Sequence, residues 1–315
     1  MTEPTPDPAA VNGSRPPSTG EPAPRRADFR FAERLRVRWA EVDPQNIVFN
    51  GHYLMYLDTA SAGYWRALAM PYAETFNDLG GELFVRRATV EYAAAAHYDE
   101  QIEVGLRCAS IGRSSLRFAA GVFRAGRLLV TGELIYVFAD PSRTHSLPVP
   151  DALRQVIGAF EAGEPCVSVE VGPWATLGAQ VQAVRQRACE GDADGDAVSP
   201  GLMPGDANAW HAVARNRFGL PVATARLVPL DANRGCLDGL VVHPLLRGAR
   251  LGRQVVDAIG AAARGQGLRV LLASVPADAV GFFARLGFVD PAPSDVPHPV
   301  LIDPRPDAQL LMRAL

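Results

Sequence analysis

The chain has 315 residues, of which 48% are hydrophobic and 21% charged, and its formal net charge is -3. This length favours two domains, and the near-neutral charge provides no basic field that would hold nucleic acid or an anionic membrane surface. All 31 basic residues are arginines, which excludes mechanisms that need a Schiff-base lysine or a phosphate-loop lysine. Without a signal-peptide core or a long apolar run, the sequence predicts a cytoplasmic protein with no membrane partner. The four cysteines have no paired spacing, so neither a metal cage nor a disulfide framework is expected.

The first 28 residues have a biased composition. Pro, Gly, Ser, Thr and charged residues dominate 1–28, and such a segment cannot bury enough apolar surface to offset the loss of chain entropy on folding. We therefore predict a disordered tail. From Phe29 onward the pattern changes, because Leu35, Val37 and Trp39 alternate with arginines and predict a strand with one apolar face.

One long helix and a run of strands are predicted for the rest of the first half. The helix is expected over Gly51–Ala69, with a buried face made of Leu54, Leu57, Ser61, Tyr64 and Leu68. Alternating stretches then predict four strands near Glu82–Tyr92, Gln101–Ser110, Ser114–Arg124 and Leu128–Ala139. A short helix follows from Asp151. This order predicts an α+β domain at 29–162, in which an antiparallel sheet wraps the long helix.

A second, mixed α/β pattern begins after the linker-like sequence Glu161–Pro165. Its strands are predicted at Val167–Val171, His211–Arg217, Val222–Pro229, Leu237–Val242 and Val270–Ala273. Its helices are predicted at Gly178–Glu190, Leu251–Arg264 and Ala277–Leu286. The second domain is expected at 163–315, and no internal repeat relates it to the first.

Asp43 is the first candidate catalytic residue. It stands in a polar turn ahead of the predicted long helix, whose first-turn amides are unpaired donors able to polarise a thioester or ester carbonyl. A carboxylate aimed at that carbonyl can attack it or deprotonate a water that attacks it. Taken by itself, the dipeptide Asp43-Pro44 is better explained as a plain turn, a role that Asp commonly has.

Three ordered motifs surround this turn. They are V-R-W-x-x-x-D-P-x-x-I-V-x-x-x-x-Y-L at Val37–Leu54, V-E-Y-A-x-A-A-x-Y-D-E at Val90–Glu100, and L-P-V-P at Leu147–Pro150. Together they resemble the hot-dog acyl-CoA thioesterases of the 4-hydroxybenzoyl-CoA thioesterase type. The resemblance implies a hot-dog fold, dimerisation through the sheet, and Asp43 as the catalytic carboxylate in a site shared between protomers.

Three positions near Asp43 depart from the pattern of that family. Asn46 replaces a glycine that is common in the turn, and Asn50 and His52 exchange the places of the usual histidine and asparagine. Asn50 fits a helix N-cap as well as a site residue. His52 fits either a residue that orients water or the substrate carbonyl, or a partly exposed surface residue. Arg86, Arg87 and Arg113 are candidates for the phosphates of coenzyme A, although arginines on such strands are more often solvated or paired.

The second half contains a candidate anion-binding loop. The sequence V-x-H-P-x-x-R-G-x-x-L-G at Val241–Gly252 places a Gly/Arg loop between a strand and a helix, where backbone amides converge on phosphate. With A-x-x-F-F-x-R-L-G-F at Ala279–Phe288, it resembles the GNAT N-acetyltransferases. The resemblance implies that the strand ending at Val242 binds pantetheine and the acyl carbonyl. It also implies that the CoA pyrophosphate is held by the amides of Arg247, Gly248, Ala249, Arg250, Leu251 and Gly252.

Two departures from the GNAT pattern bear on its chemistry. Arg250 occupies the first glycine position of the loop, and Phe283 replaces the tyrosine that often protonates the departing thiolate. The candidate bases are Asp238, His243 and His298. His298 lies in a run, Ser294–His298, that resembles a signature of one bacterial branch of the family. Each of the three also fits a purely structural role.

The sequence therefore predicts a bifunctional CoA-thioester enzyme. The first domain would hydrolyse acyl-CoA to free acid and CoA, and the second would transfer an acetyl or acyl group from CoA to an amine. The alternative is that the second domain is a non-catalytic acyl-CoA-binding or regulatory module. Coenzyme A thioesters are expected as substrates with no permanently bound cofactor, and the first domain is expected to form a homodimer or homotetramer.

Overall fold

The computed structural model describes residues 22–191, 203–292 and 308–315, so the predicted tail is described only from residue 22 onward. Residues Arg26–Asp28 form a single 3-10 turn. The chain divides into two compact units. One comprises the chain up to Trp65 and Ala73–Gly163, and the other comprises Arg66–Tyr72 and the chain from Glu164 onward.

The first unit is built on a five-stranded antiparallel sheet with the strand order β1-β3-β4-β5-β2. Its strands are β1 (Phe31–Arg36), β2 (Glu82–Tyr92), β3 (Gln101–Ile111), β4 (Ser115–Arg124) and β5 (Arg127–Ala139). Its helices are α1 (His52–Ala67), α2 (Tyr72–Asp78) and α3 (Asp151–Glu161). The α+β architecture predicted from the sequence is confirmed, and α2 is an addition that the sequence analysis did not predict.

The long helix α1 packs closely on this sheet through an aromatic face. The buried side chains of the helix include Tyr53, Tyr56, Leu57 and Tyr64. At Gly132 on β5 the approach is so close that an added Cβ would lie 2.7 Å from Cδ1 of Leu57. A side chain at position 132 would therefore require Leu57 to move from its buried position.

Two expectations about the first unit are wrong in detail. Leu54 is 40% exposed, because the buried face of α1 is centred one residue earlier, on Tyr53. Trp39 is 72% exposed and lies in a 3-10 turn, because β1 ends at Arg36 before the apolar alternation does. The alternation continues for three residues beyond the strand, and periodicity alone does not mark where hydrogen bonding to β3 stops.

The second unit is built on a six-stranded mixed sheet in the order β11-β10-β9-β8-β7-β6. Only β9 and β10 run parallel, and every other neighbouring pair is antiparallel. Its strands are β6 (Val167–Pro173), β7 (Trp210–Asn216), β8 (Pro221–Pro229), β9 (Arg234–Val242), β10 (Val270–Pro276) and β11 (Ala308–Ala314). Its helices are α4 (Trp174–Gly191), α5 (Leu251–Gly265) and α6 (Val280–Ala284).

The predicted mixed α/β pattern of this unit is confirmed with three corrections. Helix α4 begins at Trp174, four residues before the predicted start. The predicted helix Ala277–Leu286 is a 3-10 turn followed by the short α6. Strand β11 was not predicted, because its apolar residues are identified as a strand only by their pairing with β10.

The close approach of α1 to β5 gives a first testable prediction. We expect Gly132→Ala to lower the free energy of unfolding by about 1–3 kcal/mol, because the new methyl group overlaps Leu57. Gly158→Ala is the matched control, since Gly158 lies in α3 with open space around it and should gain about 0.5–1 kcal/mol. Denaturant titration of both variants measures these values. An equal effect at the two glycines would contradict the packing argument.

Candidate functional site

Asp43 lies in a tight, internally hydrogen-bonded turn. Its amide donates to the carbonyl of Ile47 at 2.9 Å, and the amide of Asn46 donates to the carbonyl of Asp43 at 2.9 Å. The amide of Gln45 donates to Oδ1 of Asp43 at 2.8 Å, and no described residue of the turn donates to Oδ2. Asn46 has a φ of 60°, so the residue that replaces the usual glycine is one that tolerates the left-handed conformation.

The half-buried Asp43 lines a cleft of about 380 Å³. Asn50 lines the same cleft, which also includes Gln45, Ile47, Val48, Phe49, Tyr53, Tyr92 and Ala93–Ala95. The structure thus brings Asp43 and Asn50 together. His52 is not among these lining residues, and its ring packs edge-on against Phe49 with the ring centroids 6.1 Å apart.

Asn50 makes its hydrogen bonds through its main-chain carbonyl group. Its carbonyl accepts from the Tyr92 hydroxyl at 3.0 Å and from the amide of Tyr53 at 3.4 Å. The amide of His52 donates to the carbonyl of Phe49 at 2.9 Å and is already engaged. These contacts fix the strand–turn–helix entry to α1 beside the cleft.

Sequence reasoning missed four residues around this cleft. Tyr53 and Tyr92 line it, while Glu41 and Tyr56 lie behind the Asp43 turn and bond each other at 2.7 Å. Burial raises the pKa of Tyr53, so its hydroxyl remains protonated at neutral pH. The sequence feature that could have indicated these residues is the pair Tyr53 and Tyr56. They lie one helical turn apart on the buried face of the helix, where each hydroxyl needs a hydrogen-bond partner.

Of the arginines considered for CoA phosphates, Arg87 is already paired. Its guanidinium bonds Oε1 of Glu133 at 2.5 Å, and Arg117 bonds the other carboxylate oxygen at 3.2 Å. These contacts hold the pKa of Glu133 below its usual value, the hydrogen bond from Arg87 being the largest cause. Arg86 and Arg113 are exposed.

In the second unit, the candidate anion-binding loop runs from Val242 to the start of α5. His243 caps a 3-10 turn at Pro244–Leu246, with its Nδ1 accepting from the amide of Leu245 at 3.3 Å. The backbone then takes a positive φ at Gly248 (87°) and at Arg250 (63°), and α5 begins at Leu251. The first amides of α5 have no intrahelical acceptor, so they are aimed at the mouth of this loop.

Strands β9 and β10 separate beside this loop. Their parallel pairing runs from Arg234 and Val270 to Leu237 and Ala273 and then stops, although β9 continues to Val242. Within the described residues, the last part of β9 therefore pairs with β8 alone. The gap leaves backbone groups of β9 available to a ligand that enters between the two strands.

Asp238 is held by an arginine at the edge of this gap. Arg226 donates from Nε to Oδ1 of Asp238 at 2.7 Å and from a terminal nitrogen to Oδ2 at 2.6 Å. Arg226 also bonds the fully buried Asp206 at 3.0 Å, and Arg185 bonds Asp206 at 2.6 and 3.1 Å. Burial opposes ionisation of Asp206, but these donors together lower its pKa. The cluster is a buried chain of alternating charges in which Asp238 has an ion-pair partner.

The remaining second-site candidates have different positions. His298 lies outside the described residues. Phe283 is 5% exposed and packs in the core, with its ring centroid 5.3 Å from that of Phe282 and 5.2 Å from that of Phe288. The ring next to the loop is that of Phe282, which an added Cβ at Gly252 would meet at 3.2 Å.

The described part of the chain holds no group of three or more His, Cys, Asp or Glu side chains arranged for a metal ion. In the same part, no helix has both the length and the hydropathy to cross a bilayer.

Comparisons with known proteins agree with the two folds. Residues 37–157 match the family model of the thioesterase-like superfamily, and residues 207–290 match that of the GNAT acetyltransferase domain. A putative esterase from Aquifex aeolicus is 32% identical over 94 residues, which cover 30% of this chain and 73% of the relative. The chain belongs to the thioesterase-like superfamily through its first unit, and its second unit carries a GNAT domain.

Solved structures also resemble the chain. A Thermus thermophilus thioesterase, crystallised with coenzyme A and zinc, is 27% identical with a TM-score of 0.38, covering 44% of this chain and 98% of that one. A thioesterase-superfamily protein from Jannaschia is 22% identical with a TM-score of 0.40, covering 43% of this chain and 95% of that one.

The buried charge cluster gives a prediction about pH. His211 is fully buried, with its ring centroid 5.1 Å from that of Trp174 and its Nε2 3.0 Å from the carbonyl oxygen of Asp206. Burial is the main cause that lowers its pKa. As the pH falls, His211 therefore takes up its proton at a higher pH in the unfolded chain than in the folded chain. The stability contributed by the neutral histidine is fully present above about pH 6.5 and is lost as the pH falls toward the pKa of His211 in the folded chain.

We expect the thermal midpoint of the second unit to fall between pH 7.5 and pH 5.0, and His211→Gln to flatten this dependence. Asp206 has the same sign but acts only below about pH 4, so this window isolates the histidine. His97→Gln, at an exposed histidine of the first unit, is the control that should leave the slope unchanged. Scanning calorimetry at the two pH values checks this, and an unchanged slope in His211→Gln would refute it.

Proposed function

We propose that the first unit hydrolyses acyl-CoA thioesters, with Asp43 as the catalytic carboxylate. The observation that carries the proposal is the position of Asp43, which is held by its own turn and lines a cleft together with the entry to α1. Membership of the thioesterase-like superfamily supports the choice of a thioester. Asp43 then acts on the thioester carbonyl either as a general base toward water or as a nucleophile.

The chemistry divides between the carboxylate and the main chain. In the general-base form, Asp43 takes a proton from water while the water oxygen bonds to the thioester carbon. Negative charge develops on the carbonyl oxygen, and we assign its stabilisation to the amides of Asn50 and Gly51, for which the described residues provide no acceptor. The carbon–sulfur bond then breaks, and the CoA thiolate leaves with the proton to give free acid and CoA.

Two further features of the first unit belong to this proposal. We propose that it forms a homodimer, or a homotetramer of such dimers, through β2. This edge strand pairs with β5 on one side, and most of its residues are exposed, including Val85 at 56%. We also propose a cytoplasmic setting, because the sequence spacing of the four cysteines indicates no disulfide framework.

We propose that the second unit binds an acyl-CoA and transfers its acyl group to an amine. The support is the loop of positive-φ residues before α5 and the adjacent separation of β9 from β10. In this reaction the neutral amine attacks the thioester carbon, and the thiolate leaves and takes up the proton released by the amine. We place the pyrophosphate at the amides of Arg247–Gly252 and pantetheine along the end of β9 at Val242.

One observation favours a different function for this unit, namely acyl-CoA binding without transfer. Phe283 has no hydroxyl group to protonate the thiolate. The carboxylate of Asp238 accepts hydrogen bonds from Nε and from one terminal nitrogen of Arg226. A bound acyl-CoA would then regulate the thioesterase or be held for it. His298 is the other candidate base, and the test below separates the two functions.

The decisive prediction for the first unit concerns Asp43→Asn, which keeps the shape of the side chain and removes its charge. We expect thiol release from the preferred acyl-CoA to fall at least about 100-fold, with the thermal midpoint unchanged. The measurement is thiol release from a panel of acetyl, long-chain and aryl CoA thioesters without any amine. Substantial residual turnover in the folded variant would refute Asp43 as the catalytic carboxylate.

The prediction for the second unit uses two glycines with positive φ. Gly248 (87°) lies in the candidate loop, and Gly267 (84°) lies in the turn after α5. An alanine is strained by about 1–2 kcal/mol at either position, but we expect only Gly248→Ala to weaken acetyl-CoA binding, by about tenfold or more. Titration calorimetry in the Asp43→Asn background measures this. Equal affinities in the two alanine variants would place the ligand elsewhere.

An amine panel then decides between transfer and binding. Acetylated product from any amine, lost in Gly248→Ala and kept in Gly267→Ala, supports the transferase. Tight acetyl-CoA binding with no acetylated amine supports the binding module.

A further inference from the structure

A second carboxylate, Glu41, lies directly behind the Asp43 turn. It is only 3% exposed, and its two oxygens accept three hydrogen bonds and form an ion pair with Arg38. Oε2 accepts from the Tyr56 hydroxyl and from the amide of Arg38, both at 2.7 Å. Oε1 accepts from Nε of Arg38 at 2.7 Å, and a terminal nitrogen of the same guanidinium lies 2.5 Å from this oxygen in an ion pair. Burial opposes its ionisation, yet these donors together lower the pKa of Glu41, so it stays charged at neutral pH.

The main chain of Glu41 closes the base of the catalytic turn. Its carbonyl accepts from the amide of Phe49 at 2.9 Å, and the next residue, Val42, forms an isolated bridge with Val48. Asp43 and the entry to α1 are thus the two sides of one loop that is closed at Glu41.

The side chain of Glu41 ties that base to the helix. Tyr56 is 4% exposed and lies in the second turn of α1, so its hydroxyl links the loop to the same helix whose N-terminus borders the cleft. Burial is the main cause that raises the pKa of Tyr56, and the hydrogen bond to Glu41 adds to it, so the hydroxyl remains a donor. This hydrogen bond therefore joins the base of the Asp43 turn directly to the second turn of α1.

We propose that Glu41, held by Tyr56 and Arg38, is a positioning residue that fixes the Asp43 carboxylate relative to the N-terminus of α1. This inference rests on the proposed thioesterase function of the first unit. It concerns the geometry of the reacting groups, because Glu41 is not among the residues that line the cleft. A small misplacement of a reacting group lowers turnover strongly while substrate binding is largely retained.

The chain contains a matched control for this arrangement. Glu161, at the end of α3, accepts from the Tyr64 hydroxyl at 2.6 Å and from the amide of Cys108 at 2.8 Å. Tyr64 lies on the same helix and is as deeply buried as Tyr56. Glu161 therefore accepts hydrogen bonds from the same two kinds of donor as Glu41, a tyrosine hydroxyl and a main-chain amide. Neither of these two bonds involves the Asp43 turn.

The experiment compares Tyr56→Phe with Tyr64→Phe in steady-state hydrolysis of the preferred acyl-CoA. We expect Tyr56→Phe to lower kcat at least about tenfold with KM within about twofold, and Tyr64→Phe to leave both unchanged. The thermal midpoints of the two variants should fall by similar amounts, since each loses one buried hydrogen bond.

Glu41→Gln provides a second, independent variant. Its amide group has one acceptor oxygen in place of two and cannot keep all three hydrogen bonds, so kcat should fall at least as far as in Tyr56→Phe, with KM retained. Equal kcat values for Tyr56→Phe and Tyr64→Phe would overturn the inference, and so would an unchanged kcat in Glu41→Gln. Turnover that survives in Asp43→Asn refutes instead the proposed function, so the two failures are distinguishable.

Discussion

A buried tyrosine hydroxyl must keep a hydrogen-bond partner, and this requirement organises the first unit around helix α1. Three tyrosines on its buried face each bond a different segment: Tyr53 the amide of Ala96, Tyr56 the carboxylate of Glu41, and Tyr64 the carboxylate of Glu161. Their rings fill the core between the helix and the sheet, while their hydroxyls select which loop ends lie against the helix. The loop with Asp43 is one of these segments, so the position of the candidate site depends on how the buried tyrosine hydroxyls find their hydrogen-bond partners.

The second unit meets a different requirement, because charges rather than hydroxyls are buried there. Asp206 lies between Arg185 and Arg226, and Arg226 extends the chain of charges to Asp238 at the edge of the gap between β9 and β10. Removing Asp206 would leave the fully buried Arg185 without this carboxylate, which is strongly unfavourable. The carboxylate nearest the gap therefore has a structural partner, and this bears directly on whether the unit transfers an acyl group or only binds its carrier.

Much of the fold followed from the sequence because the periodicity was strong. The alternation of Ile102, Val104 and Leu106 predicts β3, and all three side chains are buried. Prediction failed where periodicity continued past a boundary, as at Trp39, or where aromatic residues with hydroxyls formed the buried face, as with Tyr53 beside Leu54. These errors have one origin. Hydrophobic periodicity indicates which residues can face a core, but it does not show where backbone pairing ends or which of two adjacent residues is buried.

The candidate sites likewise have some features that the sequence predicts and others that it does not. The sequence by itself determined the Asp43 turn, including a residue at Asn46 that accepts a left-handed backbone, and the glycine-containing loop before α5. These are local features, in which each residue acts on its immediate neighbours. Only the tertiary structure decided that Glu41 bonds Tyr56 and that Asp238 bonds Arg226, pairs that lie 15 and 12 residues apart. The reason is physical: such partners meet because packing brings distant segments together and buries them, and burial makes each polar group depend on the one partner within reach.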